Sequence, residues 1–322
     1  MYSRIAGTGR YLPEKVLTNA DLEKIVDTTD EWIRSRTGIE RRHIAADHET
    51  TSTLCTEAAK RAMEAAGVTA DEIDFVAVGT TTPDLVFPNV GTLVQAALGI
   101  HDCPAFSLET ACSGFIYALS MADKFVRAGE AKCALVIGAE CLSRIVDWKD
   151  RTTCVLFADG AGAVILKPSE EAGILTTLLS ADGQYADLLQ FPYGPGAGFD
   201  KMRAVETAGI TMKGNEVFKV AVNTLSKLVD QTLVKGGVDK SQIDWLVPHQ
   251  ANLRIIQAAA RKLDLPMERV VVTVQDHGNT SAASIPLALD TAVRDGRIKR
   301  GQLLLLETFG GGFTWGSALI RF

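Results

Sequence analysis

Three apolar segments of this chain recur in the same order at one offset of 170 residues. Asp71-Glu-Ile-Asp-Phe-Val-Ala-Val returns as Ser241-Gln-Ile-Asp-Trp-Leu-Val-Pro, Phe115-Ile-Tyr-Ala-Leu as Ile285-Pro-Leu-Ala-Leu, and Cys133-Ala-Leu-Val-Ile as Leu303-Leu-Leu-Leu-Glu. One such match between apolar runs arises by chance. Three at a shared shift point to an internal duplication, which restricts the fold to one built from two like halves.

Each copy reads as helix, apolar strand, loop, helix, apolar strand and a closing strand that carries glycine. Helical spacing of apolar residues covers Ser52 to Ala66 and Val217 to Leu233, the first ending at Gly67 and the second just before Gly236-Gly237. Phe75 to Val78 and Ala134 to Ile137 are apolar without alternation, as strands are when a sheet is covered on both faces. The closing strands, Gly162-Ala-Val-Ile-Leu and Gly316-Ser-Ala-Leu-Ile, carry a small residue where neighbouring elements approach closely. The expectation is an α/β protein of two stacked halves whose shared helices form a central layer. The halves fall at 1–169 and 214–322, joined by a linking insertion over 170–213 that carries Tyr193-Gly-Pro-Gly-Ala-Gly and borders the site.

Composition narrows the function. With 322 residues, 47% hydrophobic and 22% charged, the chain can bury a large core. The start Met-Tyr-Ser-Arg-Ile lacks a secretory leader and no long uncharged apolar run exists, so a cytoplasmic protein without a membrane span is expected. The six cysteines have no Cys-x-x-Cys spacing, which argues for reduced thiols and against a zinc site; no metal is expected. A net charge of −6 argues against nucleic acid as a partner. The absence of any Gly-Lys dipeptide excludes a Walker A loop, and the C-terminal glycine cluster does not satisfy Gly-x-Gly-x-x-Gly.

Cys112 stands where the strand Pro104 to Leu108 turns into a helix beginning Cys-Ser-Gly-Phe. A thiol at a helix N-terminus meets unsatisfied N–H groups and the positive end of the macrodipole, which lower its pKa. Read alone, it fits either a packed apolar residue or a nucleophile. The duplication separates the two, because the equivalent position is Ala282 and packing alone does not require the difference. His249 follows the strand Trp245 to Val247, and Asn279 follows His277-Gly278 before the second helix, both at places where loops present catalytic groups. Either one also fits an ordinary loop residue.

Together these segments resemble a known family. Ala111-Cys-Ser-Gly-Phe, His249-Gln-Ala-Asn-Leu-Arg, His277-Gly-Asn-Thr-Ser-Ala and Phe309-Gly-Gly-Gly-Phe-Thr-Trp-Gly are similar to the signatures of β-ketoacyl-acyl-carrier-protein synthase III, of the thiolase superfamily. The resemblance runs from Ile5 to Phe322. It implies a thiolase-like five-layered αβαβα fold, a homodimer, and an acyltransferase that condenses a short acyl-CoA, acetyl-CoA foremost, with malonyl-acyl carrier protein. The products are 3-oxoacyl-acyl carrier protein, CO2 and CoA. CoA thioesters serve as substrates and no cofactor is required.

By the same resemblance Cys112 is the nucleophile, His249 and Asn279 support decarboxylation, and the N–H groups of Cys112 and Gly311 form an oxyanion hole. Thr28, Trp32, Arg36 and Arg151 match the positions that hold the adenine and phosphate end of CoA, and Gly214, Phe218 and Asn252 those along the pantetheine channel. Without the family, Arg34, Arg36, Arg41 and Arg42 read equally as a solvated charge cluster. Phe87, reaching across the dimer, with Leu142, Phe157 and Leu189, matches the acyl pocket. Arg254, Arg261 and Lys262 share a helix face and, with Lys219, would dock an acidic carrier protein. The competing readings are a related condensing enzyme of a secondary-metabolite pathway, a Cys-His-Asn thioester hydrolase, and a non-catalytic binding subunit.

Overall fold

The computed structural model describes residues 1–198 and 209–322. In the first half, β1 (Tyr2–Tyr11), β4 (Phe75–Gly79), β5 (Ala105–Leu108), β6 (Ala134–Cys141) and β7 (Asp159–Ser169) form a sheet in the order β1-β7-β6-β4-β5, while β2 (Val16–Thr18) and β3 (Arg41–His43) pair separately. The second sheet has the order β11-β12-β13-β8, from β8 (Ile174–Ala181), β11 (Trp245–Pro248), β12 (Leu303–Gly310) and β13 (Thr314–Arg321). This is the first sheet without its outermost strand, and a single parallel bridge, Leu246 to Val270, stands in the place of β5.

The duplication extends to register. Phe75 pairs with Ala134 and Trp245 with Leu304, both in parallel and 170 residues apart. Gly138 faces Gly162, as Thr308 faces Gly316. Even an irregularity repeats: the ladder of β1 slips between Ile5 and Gly7, and that of β8 between Ile174 and Thr176. A bulge kept in both copies shapes how each outer strand bends around the central layer.

One expectation needs amending. The segment 170–213 is not wholly a linker, because β8 lies within it and supplies the outer strand of the second sheet. Only the first part of β8 is buried, and the buried Thr176 and Thr177 interrupt its apolar run, so it lacks the continuous apolar signal that marked the inner strands. Further on, β9 (Leu189–Gln190) pairs with β10 (Thr211–Met212) beside the site. The rest of the expected insertion, residues 199–208, lies outside the described residues.

Five layers result. The helices Gly114–Ala128 and Ser284–Arg294 lie between the sheets, and their buried faces (Phe115, Ile116, Leu119, Ile285, Leu289) join β4, β6 and β12 in one core. Each such side chain contributes roughly 1.5–3 kcal/mol by leaving water. Helices Thr51–Ala66 and Val90–Leu98 cover the outer face of the first sheet. Gly214–Gly236 and Leu253–Lys262 cover that of the second. The central layer packs backbone to backbone: a Cβ on Gly79 would lie 2.2 Å from the carbonyl carbon of Gly114, and one on Gly138 2.2 Å from the Ala282 oxygen. Among the described residues no helix is long and apolar enough to cross a membrane.

Candidate active site

Two short turns meet where the halves join. Ala111–Ser113 leads into the helix at Gly114, and Ser281–Ala283 leads into the helix at Ser284. Ala111 (φ 46°) and Ser281 (φ 49°) both hold left-handed backbone, a conformation costing of order 1–3 kcal/mol outside glycine. The same strain at equivalent positions shows that the turn geometry belongs to the duplicated scaffold. Only the first turn carries a thiol. The backbone around Cys112 is pinned from the second half: Thr308 Oγ1 donates to the Cys112 oxygen at 2.8 Å, and Ser113 Oγ to the Thr314 oxygen at 3.0 Å. Gly310 lies so close that a Cβ there would stand 2.7 Å from the Cys112 nitrogen.

Cys112, His249 and Asn279 line one cavity of about 270 Å³, with Glu307, Phe309 and Gly310 beside them. Gly311 follows in the turn, against the Leu189 oxygen, and does not line the cavity. Hydrogen bonds at the back of the site orient both donors. Ser284 Oγ accepts from the Gln250 N–H at 3.2 Å and lies 2.6 Å from His249 Nδ1. With the Ser284 hydroxyl as donor to Nδ1, the imidazole carries its proton on Nε2. Asn279 Oδ1 accepts from the Ser281 N–H at 2.9 Å, so the amide NH2 is the end left for the cavity. Gln250, wholly buried, ties the His249 loop to the segment that leads to Asn279 through the Val271 oxygen and the N–H groups of Thr273 and Val274.

Burial controls the electrostatics. It pushes the Cys112 thiol up to about 12, a hydrogen bond with Ser281 opposing and the charge of Glu140 adding to it. This corrects the expected lowering. A helix N-terminus contributes up to about 2 kcal/mol, whereas the shift from 9 to about 12 corresponds to roughly 4 kcal/mol, so desolvation outweighs the dipole. Burial lowers His249 to about 3, which keeps the imidazole neutral at any physiological pH. It raises Glu307 to about 8, with neither carboxyl oxygen hydrogen-bonded. Among the described residues no group of three or more His, Cys, Asp or Glu is arranged to hold a metal ion.

At the mouth, two guanidinium groups stack on one indole: Arg36 stands 4.9 Å and Arg151 5.3 Å from the Trp32 ring centre. Arg151 is also held by the Asp27 oxygen at 2.7 Å, and the Thr28 hydroxyl is buried without a partner. Arg36, Gly214, Phe218 and Asn252 line the cavity, while Thr28, Trp32 and Arg151 lie outside its lining. Asn252 caps the helix Leu253–Lys262 through Oδ1 and donates to the Arg36 oxygen at 2.9 Å, which fixes the channel wall.

The remaining expected residues separate. Phe157 and Leu189 line the cavity, and Leu142 packs in the same core cluster without reaching it. Phe87 is 83% exposed, far from the packing of a core aromatic. Arg254 lines the cavity and stacks over Phe218 at 5.0 Å. Lys219 and Arg261 are exposed, and Lys262 is engaged by Asp230 at 2.7 Å. Sequence reasoning missed Ser281, Ser284, Glu140 and Glu307. A signal existed for the last two, since each is a carboxylate within an otherwise apolar, wholly buried strand.

Comparison with known proteins follows the same outline. A family model described as 3-oxoacyl-[acyl-carrier-protein] synthase III matches residues 106–183, and the model for the C terminal of that synthase matches residues 233–322. The β-ketoacyl-[acyl-carrier-protein] synthase III of Xanthomonas campestris is 66% identical over 322 residues, spanning 100% of this chain and 99% of that protein. The crystal structure of the 3-oxoacyl-[acyl-carrier-protein] synthase III of Aquifex aeolicus superposes with a TM-score of 0.92 at 49% identity, covering 99% of this chain and 100% of that one. The priming β-ketosynthase of a polyketide biosynthetic pathway superposes with a TM-score of 0.93 at 36% identity, covering 99% and 96%. With a thiolase-type architecture, two family-model matches and two-thirds identity along its whole length, the chain belongs to the 3-oxoacyl-[acyl-carrier-protein] synthase III family.

Proposed function

We propose that this acyltransferase condenses a short acyl-CoA, acetyl-CoA foremost, with malonyl-acyl carrier protein to give 3-oxoacyl-acyl carrier protein, CO2 and CoA, at the start of fatty-acid synthesis. The observation that carries the reading is the convergence of one thiol and two neutral, pre-oriented donors on a single cavity. Cys112 sulfur attacks the acyl thioester, a new S–C bond forms and CoA leaves. The malonyl thioester enters next and its C–CO2 bond breaks, placing the electron pair on the thioester enolate. His249 Nε2–H and the Asn279 amide donate to that oxygen as charge develops. The carbanion attacks the acyl-Cys112 carbonyl, whose tetrahedral oxygen the Cys112 N–H would hold, with Gly311, in the turn just outside the cavity lining, as the second donor, and Cys112 is released.

A hydrolase reading fits poorly, because burial lowers His249 to about 3 and so makes it a weak base. Trp32, Arg36 and Arg151 would grip the adenine and phosphates of CoA, and Gly214, Phe218 and Asn252 its pantetheine arm, as an aromatic ring beside guanidinium groups suits. No cofactor enters this scheme. The exposed apolar run Leu85, Val86 and Phe87 suits burial in a homodimer, where Phe87 would close the partner's acyl pocket beside Leu142, Phe157 and Leu189. Six free cysteines suit a cytoplasmic enzyme. The higher identity to named synthases of this family than to the polyketide priming enzyme favours fatty-acid initiation over a secondary pathway. Incubation with labelled acetyl-CoA and malonyl-acyl carrier protein is expected to yield acetoacetyl-carrier; free acetate alone, or no product, would contradict the proposal.

A further inference from the structure

β12 carries a carboxyl group that neither the packing of the fold nor the proposed reaction has used. Along this strand Leu304 and Leu306 join the central core, whereas Leu303, Leu305 and Phe309 pack under the outer helices, so alternation puts Glu307 on the outer face. It is 1% exposed there, yet neither carboxyl oxygen has a hydrogen-bond partner. A polar group left unsatisfied in the interior is costly. Packing does not require it. In the duplicated half the same register position, opposite Val78 as Glu307 is opposite Pro248, belongs to Ile137, buried among apolar neighbours under its own outer helices. What sets the second half apart here is the cavity. Glu307 lines it beside Pro248, His249 and Phe309, and it is the only acidic residue among the described residues that do so.

We propose that Glu307 is a substrate-binding acid: uncharged, its O–H donates to the carboxylate of the malonyl group in the cavity, and ionised, it turns that carboxylate away. This rests on the reading of malonyl-carrier as the second substrate. The malonyl carboxylate is the one anionic group that has to come in as far as Cys112, since the phosphates of CoA and of the carrier stay at the far end of the pantetheine arm. Glu307 is then a specificity residue for the second step. Acetyl transfer to Cys112 brings in no carboxylate and does not call on it. The proton stays on Glu307 throughout. As the C–CO2 bond breaks, the electron pair passes to the thioester oxygen held by His249 and Asn279, and CO2 leaves uncharged. The contribution of Glu307 is therefore to binding rather than to bond breaking.

The surroundings keep this acid uncharged near neutrality. Burial alone raises Glu307 to about 8. After β11 comes His249, which burial lowers to about 3 and so holds neutral, and the turn Ala111–Ser113 brings the Cys112 thiol, raised to about 12. From β13 the ladder partner is Ser317, whose hydroxyl pairs with Thr232 at 2.6 Å. The outer helices bring Ala221, Leu225, Ile256 and Ala259 to the lining, none of them ionisable. The cations among the described lining residues, Arg36 and Arg254, are exposed. Because the acid form persists below about pH 8, malonyl binding is retained there and lost as the pH rises through that value.

The test measures decarboxylation of malonyl-carrier by the acetylated enzyme, beside acetylation of Cys112 by acetyl-CoA, between about pH 6 and 10 in wild type, Glu307→Gln and Glu307→Ile. In wild type the KM for malonyl-carrier is expected to climb above about pH 8, approaching about tenfold per pH unit, with no matching fall in acetylation. Glu307→Gln, whose amide donates at every pH, loses that climb. Glu307→Ile copies the residue of the duplicate half, so it should melt no lower than wild type. It should raise the malonyl-carrier KM about tenfold to a hundredfold at neutral pH and change kcat and acetylation far less. A climb that persists in Glu307→Gln, or a wild-type KM in Glu307→Ile, overturns the inference. So does a loss of acetylation as large as the loss of malonyl use, the mark of a residue that only shapes the cavity. A wild-type enzyme that is acetylated yet decarboxylates malonyl-carrier at no pH sinks the substrate assignment, and the role of Glu307 with it; the other failures leave that assignment standing.

Discussion

The turn Ala111-Cys112-Ser113 and the turn Ser281-Ala282-Ala283 have the same backbone and different chemistry. Both begin with a left-handed residue, both enter a central helix, and they pack so tightly that the Ala282 Cβ would stand 3.2 Å from a Cβ on Gly114. The scaffold therefore tolerates alanine at the position of Cys112, because its duplicate already has one. The second half carries no thiol at the matching turn and instead brings His249 and Asn279 to the cavity. On the proposed mechanism, a duplicated fold divides the two halves of one reaction between its copies.

The largest effect should come from breaking that division. Cys112→Ala is expected to lower condensation by more than about 10⁴-fold while leaving the melting temperature unchanged, since it makes the two turns alike. His249→Ala or Asn279→Ala should lower malonyl-carrier decarboxylation by about 10²–10³-fold yet leave acetylation of Cys112 measurable, because in the proposed mechanism these donors serve the enolate. Separate assays of the two half-reactions check this. Equal loss of both would assign His249 a base-like role and erase the distinction between the halves.

Next is the contact that lets the turns meet. Gly138→Ala should lower stability by about 3 kcal/mol in denaturant unfolding, because the new Cβ would face the Ala282 carbonyl oxygen at 2.2 Å and backbone cannot step aside cheaply. Wild-type stability would mean that the central layer is looser than this packing implies. The smallest effect concerns the surface of the second half. Lys219→Glu with Arg261→Glu should raise the KM for malonyl-carrier severalfold, leave acetyl transfer unchanged and lose its effect at high salt. Arg254 is a poorer probe, since it also lines the cavity.

Much of this was legible beforehand. The 170-residue repeat foretold two stacked halves because continuous apolar strands and glycine contacts leave a strong imprint on sequence. The repeat missed β8, whose half-exposed edge carries only a weak pattern. Cys112, His249 and Asn279 were found through position in the repeat and resemblance, and the cavity unites them. Their environment was not legible. The raised thiol depends on depth in the core, which no local motif encodes, and the neighbours that tune the site, Ser284 and Ser281, are small hydroxyl residues indistinguishable in sequence from turn formers. Glu140 and Glu307 were visible as carboxylates in apolar strands and were passed over, although a buried charge is a better signal than an exposed one.

The most direct measurement is the site of the covalent intermediate. After brief exposure of the wild-type enzyme to acetyl-CoA without malonyl-carrier, peptide mass spectrometry should find a single acetyl thioester on Cys112, lost when malonyl-carrier is added and absent from Cys112→Ala. Acetylation of Cys141 or Cys154 instead, with Cys112 unmodified, would contradict the assignment of the nucleophile to the first-half turn.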